Sequence, residues 1–103
     1  MVSDKVKAGL RKAQELRWEW GKTQREIAEQ QRQLQAVTED QTRLRANLRE
    51  VPLSSPLHRR YLDKLEKQET EVEKYQEEIK RLQGQEHAQK KALDDFLAAF
   101  TAE

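Results

Sequence analysis

The two histidines, His58 and His87, and the one acid at a seam position, Glu86, are the first candidates for proton transfer or metal ligation. Their spacing works against both. Both histidines fall on the second predicted helix, at well-separated heights, so they form neither a dyad nor a metal pair. Cysteine is absent, which excludes disulfide and thiolate chemistry. No Gly-rich phosphate loop, Ser/His/Asp set or HExxH pattern occurs. Arg43, Arg45, Arg49, His58, Arg59, Arg60 and Lys64 cluster with enough charge to meet phosphates or acidic headgroups. Yet Glu66, Glu69, Glu71 and Glu73 follow directly, and the aromatic among the basic residues, Tyr61, is assigned to the seam rather than to stacking on bases. A nucleic-acid-binding arm using this basic loop end is the lesser expectation. The chain reads as non-enzymatic, with no cofactor, metal or small-molecule substrate.

Composition limits what can position these groups. Of 103 residues, 35% are hydrophobic and 38% charged, and the mean hydropathy is -1.13. A compact globular core draws on roughly 45–50% apolar residues. This chain falls short, which leaves an elongated helical assembly or disorder. Glycine (3) and proline (2) are scarce, whereas glutamine occurs twelve times. The balance of 20 Lys+Arg against 19 Asp+Glu argues against a general nucleic-acid or membrane glue. No apolar run approaches the ~20 residues of a membrane span. The opening MVSDKVKAGL lacks the apolar stretch of a signal peptide. The compartment is left open.

The strongest punctuation is Val51-Pro52-Leu53-Ser54-Ser55-Pro56. Pro52 disfavours helical geometry at Val51, and Ser55-Pro56 suits the N-cap and first position of a new helix. The spacing predicts helices over about 4–50 and 55–100, joined by a loop over about 51–54. On the first helix, apolar residues recur at a (Val6, Ala13, Trp20, Ile27, Leu34, Leu48) and at d (Val2, Leu16, Val37, Leu44, Val51). The second carries Leu65, Val72, Ile79, Leu93 and Phe100 at a, with Tyr61, Tyr75, Leu82 and Phe96 at d. A 3-4 spacing sustained along each helix is a coiled-coil seam. A short break between seams of equal length predicts an all-α, antiparallel coiled-coil hairpin, with dimerisation into a four-helix assembly as an extension.

The expected register pairs Leu44 with Leu65, Val37 with Val72, Ile27 with Leu82 and Ala13 with Phe96. It stacks Gln41 on Gln68, so that two buried amides satisfy each other, and places Glu86 in a polar layer near Thr23 and Gln89. The flanks bring Gln31 to Gln76, Gln24 to Gln83, and Asp40 to Glu71, a like-charge pair. Ion pairs therefore contribute little to the expected pairing. Gly21 and Gly84 lie at similar heights and predict a soft, bendable point.

The open end of the hairpin is richer in apolar groups than a two-stranded seam needs. Leu10 and Leu97 extend the stripe at e positions beside Phe96 and Phe100. Trp18 falls at f, the outermost position, two residues from Trp20. Leu10, Trp18, Trp20, Phe96, Leu97 and Phe100 form the expected docking patch, for a second copy or an upstream domain.

The stretch LRANLREVPLSSPLHRRYLDKLEKQETEVEKYQEEIKRLQ resembles the C-terminal helical tail of large bacterial proteins described only as a domain of unknown function, some labelled mucoidy-inhibitor-like. A pattern like RxNLxxxPxxSxxxxRYLxKLxxQE joins two long helices there. It is matched here by Arg45, Asn47, Leu48, Pro52, Ser55, Arg60, Tyr61, Leu62, Lys64, Leu65, Gln68 and Glu69, with Glu73 beyond. SDKVKAGL and QKKALDDFL are similar to the edges of that tail, so the resemblance spans nearly the whole chain. Departures are Pro56 directly after Ser55, and the Trp18/Trp20 pair. The resemblance implies a C-terminal domain excised from a protein with a β-rich body, and no catalytic residues. It implies structural roles around the loop: Pro52 and Ser55 shape the turn, Tyr61 plugs the core below it, and Arg60 and Lys64 bond loop carbonyls or acids on the Glu66 side.

Overall fold

A computed structural model describes residues 3–101. The chain is an all-α helical hairpin of two helices, α1 (Asp4–Glu50) and α2 (Pro56–Thr101). Val2, assigned to the seam, lies outside the described residues.

Local chemistry accounts for the helix ends. The Ser3 hydroxyl accepts the Val6 N–H at 3.1 Å, satisfying an N–H that has no partner within the helix. Ser55 Oγ does the same for Leu57 N–H at 3.1 Å, and α2 opens at Pro56, where a missing N–H is harmless. Between the helices, Ser55 N–H donates to Pro52 C=O at 3.0 Å and closes a tight turn. No described residue has positive φ, so the reversal needs no glycine. The α1 and α2 assignments run unbroken through Gly21 and Gly84, where a bendable point was expected.

The chain divides into two compact units, each pairing a stretch of α1 with a stretch of α2. The loop-side unit is Glu29–Lys80; the terminal unit is Met1–Ala28 with Arg81–Glu103. In the loop-side unit Leu44 is 0% exposed, and Gln41, Gln68 and Ile79 are buried beside the half-buried seam residues Leu34, Val37, Leu65, Val72 and Tyr75. In the terminal unit Leu82, Leu93 and Thr23 are buried.

Two expectations for the loop-side unit change. Gln41 and Gln68 do not bond each other. Gln41 Nε2 donates to Glu69 Oε1 at 2.9 Å, and Gln68 Nε2 donates to Asp40 Oδ2 at 2.6 Å. Each amide prefers a carboxylate across the helix pair because a charged acceptor makes the stronger bond. Asp40, expected near Glu71, is engaged by cations. It takes a hydrogen bond from Arg43 Nε at 2.9 Å and lies 3.7 Å from Lys64 Nζ, while Arg45 reaches Glu69 at 3.5 Å. Bonds from Arg43 and then Gln68 hold the Asp40 carboxyl below its ordinary range. The expected Gln layer is therefore a crossed clasp, in which the adjacent pairs Asp40-Gln41 and Gln68-Glu69 bond reciprocally.

Candidate partner-binding site

The terminal unit gathers the chain's aromatic rings, except for its two tyrosines. Gly9 lies at a d position, and the Phe100 ring fills the space a side chain would take there. A Cβ on Gly9 would overlap Phe100 Cε2. Phe96 stacks on Phe100 with centroids 5.8 Å apart and an 8° angle between ring planes. The glycine thus lets a large ring approach the α1 backbone. The heptad pattern places Gly9 on the seam but does not reveal this purpose.

Trp20 and Glu86 also meet. The indole Nε1 donates to Glu86 Oε1 at 2.8 Å, and Lys90 Nζ sits 5.5 Å from the ring centroid. Trp20, expected in the outward patch, is half-buried and engaged across the hairpin. Glu86, expected in a polar layer of the seam, is the acceptor for that indole. Gln85 Nε2 approaches Thr23 Oγ1 at 3.5 Å, and Thr23 donates to Glu19 C=O at 3.3 Å. Gln89 Oε1 is buried without a hydrogen-bond partner among the described residues.

Outside this layer the surface stays apolar. Leu10 is 50% exposed and Trp18 57% exposed. A groove of about 270 Å³ is lined by Leu10, Ala13, Gln14, Arg17, Leu93 and Leu97. Trp18 lies in a neighbouring groove with Arg11, Gln14, Glu15 and Glu19, and Lys22 Nζ is 5.5 Å from its ring centroid. Gln14 lines both. Phe96 and Phe100, with Lys5, Gly9 and Ala99, line a third. Of the six patch residues, the structure brings Leu10 to Leu97 and Phe96 to Phe100, leaves Trp18 outermost, and withdraws Trp20. Lys91 and Asp95 pair at 2.6 Å on the outer face of α2, which raises the Lys91 pKa through that hydrogen bond and its charge.

The loop end is less basic in effect than its composition suggests, because Arg43, Arg45 and Lys64 already face Asp40 or Glu69. Arg60 is exposed and makes no hydrogen bond or ion pair among the described residues. The expected bond to a loop carbonyl is absent there, and the turn is held by Ser55 N–H and Pro52 C=O instead. Lys64 faces Asp40 on α1 rather than a loop carbonyl. Tyr61 is half-buried. The turn also presents Leu53, 85% exposed, with Leu57 and Leu62 exposed nearby on α2. Sequence reasoning gave no role to Leu53 and Leu57, although VPLSSPLHRR places them among prolines and serines, outside the seam.

Among the described residues no group of three or more His, Asp or Glu side chains could hold a metal, and no helix is long and apolar enough to cross a membrane. Comparison with family models, curated proteins and solved structures finds no match.

Proposed function

We propose that this chain is a non-enzymatic coiled-coil hairpin that mediates self-association through the terminal unit. The observation that carries the reading is the pairing of a half-exposed Leu10 and Trp18 with a groove floored by Leu93 and Leu97. Exposed apolar area next to a shaped groove is favourably covered by another protein surface. A coiled coil accords with the burial or half-burial of the a and d residues from Ala13 to Leu48 on α1 and from Tyr61 to Phe100 on α2. The resemblance to a helical tail agrees with a module that projects from a larger protein and joins it to a neighbour.

Nucleic-acid binding by the loop end is the weaker reading, since Arg43, Arg45 and Lys64 are engaged by carboxylates. Light scattering across protein concentration, at low and high salt, tests the proposal. A mass near twice 12.2 kDa that persists at high salt is expected. A 12.2 kDa species at every concentration would remove self-association and leave the patch for an upstream domain. RNA binding that weakens steeply with salt and is lost on Arg59→Ala with Arg60→Ala would favour the other reading.

A further inference from the structure

We infer that the partner of this surface is a second copy of the same chain, joined by a two-fold contact in which Trp18 of each copy enters the Leu10/Leu97 groove of the other. The inference rests on the self-association proposed above and assigns its contact residues.

Three observations point to a second copy. The first is steric: one unit carries both a projecting indole and an unfilled apolar groove. The groove, about 270 Å³, is the equivalent of several waters at ~30 Å³ each and can receive an aromatic side chain. Trp18 is the most exposed aromatic of the described residues, and Lys22 Nζ lies 5.5 Å from its ring centroid. Gln14 lines both the groove and the surface around Trp18, so an axis close to Gln14 would set each knob near the other copy's hole. An isologous contact requires this arrangement, in which one patch supplies both halves.

The second observation is charge. Arg11, Arg17, Glu15 and Glu19 border the two grooves, giving two charges of each sign. Such a rim meets its own image without a net like-charge penalty. A strongly single-signed rim would instead have called for a partner of opposite charge.

The third is area. The chain exposes 8049 Å². A folded monomer of its mass exposes about 6,100 Å², so roughly 2,000 Å² is in excess. A standard interface takes about 800 Å² from each partner, well within that surplus. Trp18 and Leu10 would form its centre, where large anchors dominate binding.

Trp18→Ala removes the knob and keeps the hole; Leu10→Trp fills the hole and keeps the knob. Both positions are at least half exposed, so the hairpin should keep its helical circular dichroism. Sedimentation of each variant alone should show self-association weakened by at least about tenfold. A one-to-one mixture should recover part of the dimer, because Trp18 of the Leu10→Trp chain can enter the open groove of the Trp18→Ala chain. Retention of the wild-type dimer by Trp18→Ala, or no recovery in the mixture, would overturn this assignment while leaving self-association intact. A monomeric wild-type chain would remove both.

Discussion

The unit Glu29–Lys80 closes around Leu44 with amides bonded across the helices to Asp40 and Glu69, whereas the terminal unit closes around Leu82 and Leu93 with rings. There Phe100 covers Gly9, Phe96 stacks on Phe100, and Trp20 bonds Glu86. The difference shows two ways of specifying one antiparallel pairing. Directional bonds from buried amides define register with little apolar area, because a shifted neighbour leaves a buried donor unsatisfied. Rings specify it by shape, as with a glycine under Phe100, and bring more apolar area than two helices can enclose. Leu10 and Trp18 mark the remainder, beside a groove. The exposed leucines of the loop-side unit lie at the turn and the first turns of α2, outside the seam.

Leucine truncation should have the largest effect and shows whether the two units unfold together. Leu44→Ala and Leu82→Ala each remove a fully buried side chain and should each destabilise by about 2–5 kcal/mol in urea unfolding. If the units share one cooperative transition, both losses will appear as shifts of a single midpoint. Amide exchange that accelerates only between 81 and 101 and in the facing part of α1 after Leu82→Ala would instead separate them.

A smaller effect sharpens the role of shape. Gly9→Ala drives a methyl into the Phe100 ring and should destabilise by about 1–3 kcal/mol. Gly84→Ala meets nothing within 4 Å and should stabilise α2 by up to about 1 kcal/mol. Thermal unfolding of the two variants side by side reads the opposite signs. If Gly9→Ala proves neutral or stabilising, the close approach of Phe100 is not what defines the terminal pairing.

The smallest effect is ionic and splits the units by pH. Asp40 in the loop-side unit has its pKa lowered from 3.8, so its contribution is present above that value and is lost as pH falls through the folded-state value. Lys91 in the terminal unit has its pKa raised from 10.5, so its contribution is present below that value and is lost as pH rises through the folded-state one. Both groups face water, so each effect should be small. Melting curves followed from neutral pH into acid and into base should show the acid-side decrease reduced by Asp40→Asn and the base-side decrease reduced by Asp95→Asn. An acid profile unchanged by Asp40→Asn would show that the clasp does not depend on its charge.

The seam and the hairpin were legible because each rests on a pattern summed over many residues. Val37, Leu44, Ile79 and Leu93 recur at 3-4 spacing, and no single substitution would hide that period. Ser55-Pro56 announced the start of α2 through chemistry confined to neighbouring residues. The site was legible in part. Leu10, Trp18 and Leu97 stood out as apolar residues beside or opposite the seam, whereas Trp20 fell on the seam and was still grouped with them. Its engagement depends on Glu86, 66 residues away in sequence. The exposed Leu53 and Leu57 were missed because periodicity says nothing about a turn.

By itself the sequence determined two helices, where they end and which faces they bury, since propensity, capping and period act locally or accumulate along one helix. Tertiary structure alone decided partners: Gln41 with Glu69, Gln68 with Asp40, Trp20 with Glu86, and Phe100 over Gly9. Several donors, acceptors and rings compete at each level of the hairpin. The outcome turns on distances of an ångström or less across the pair, and a one-dimensional pattern does not contain them.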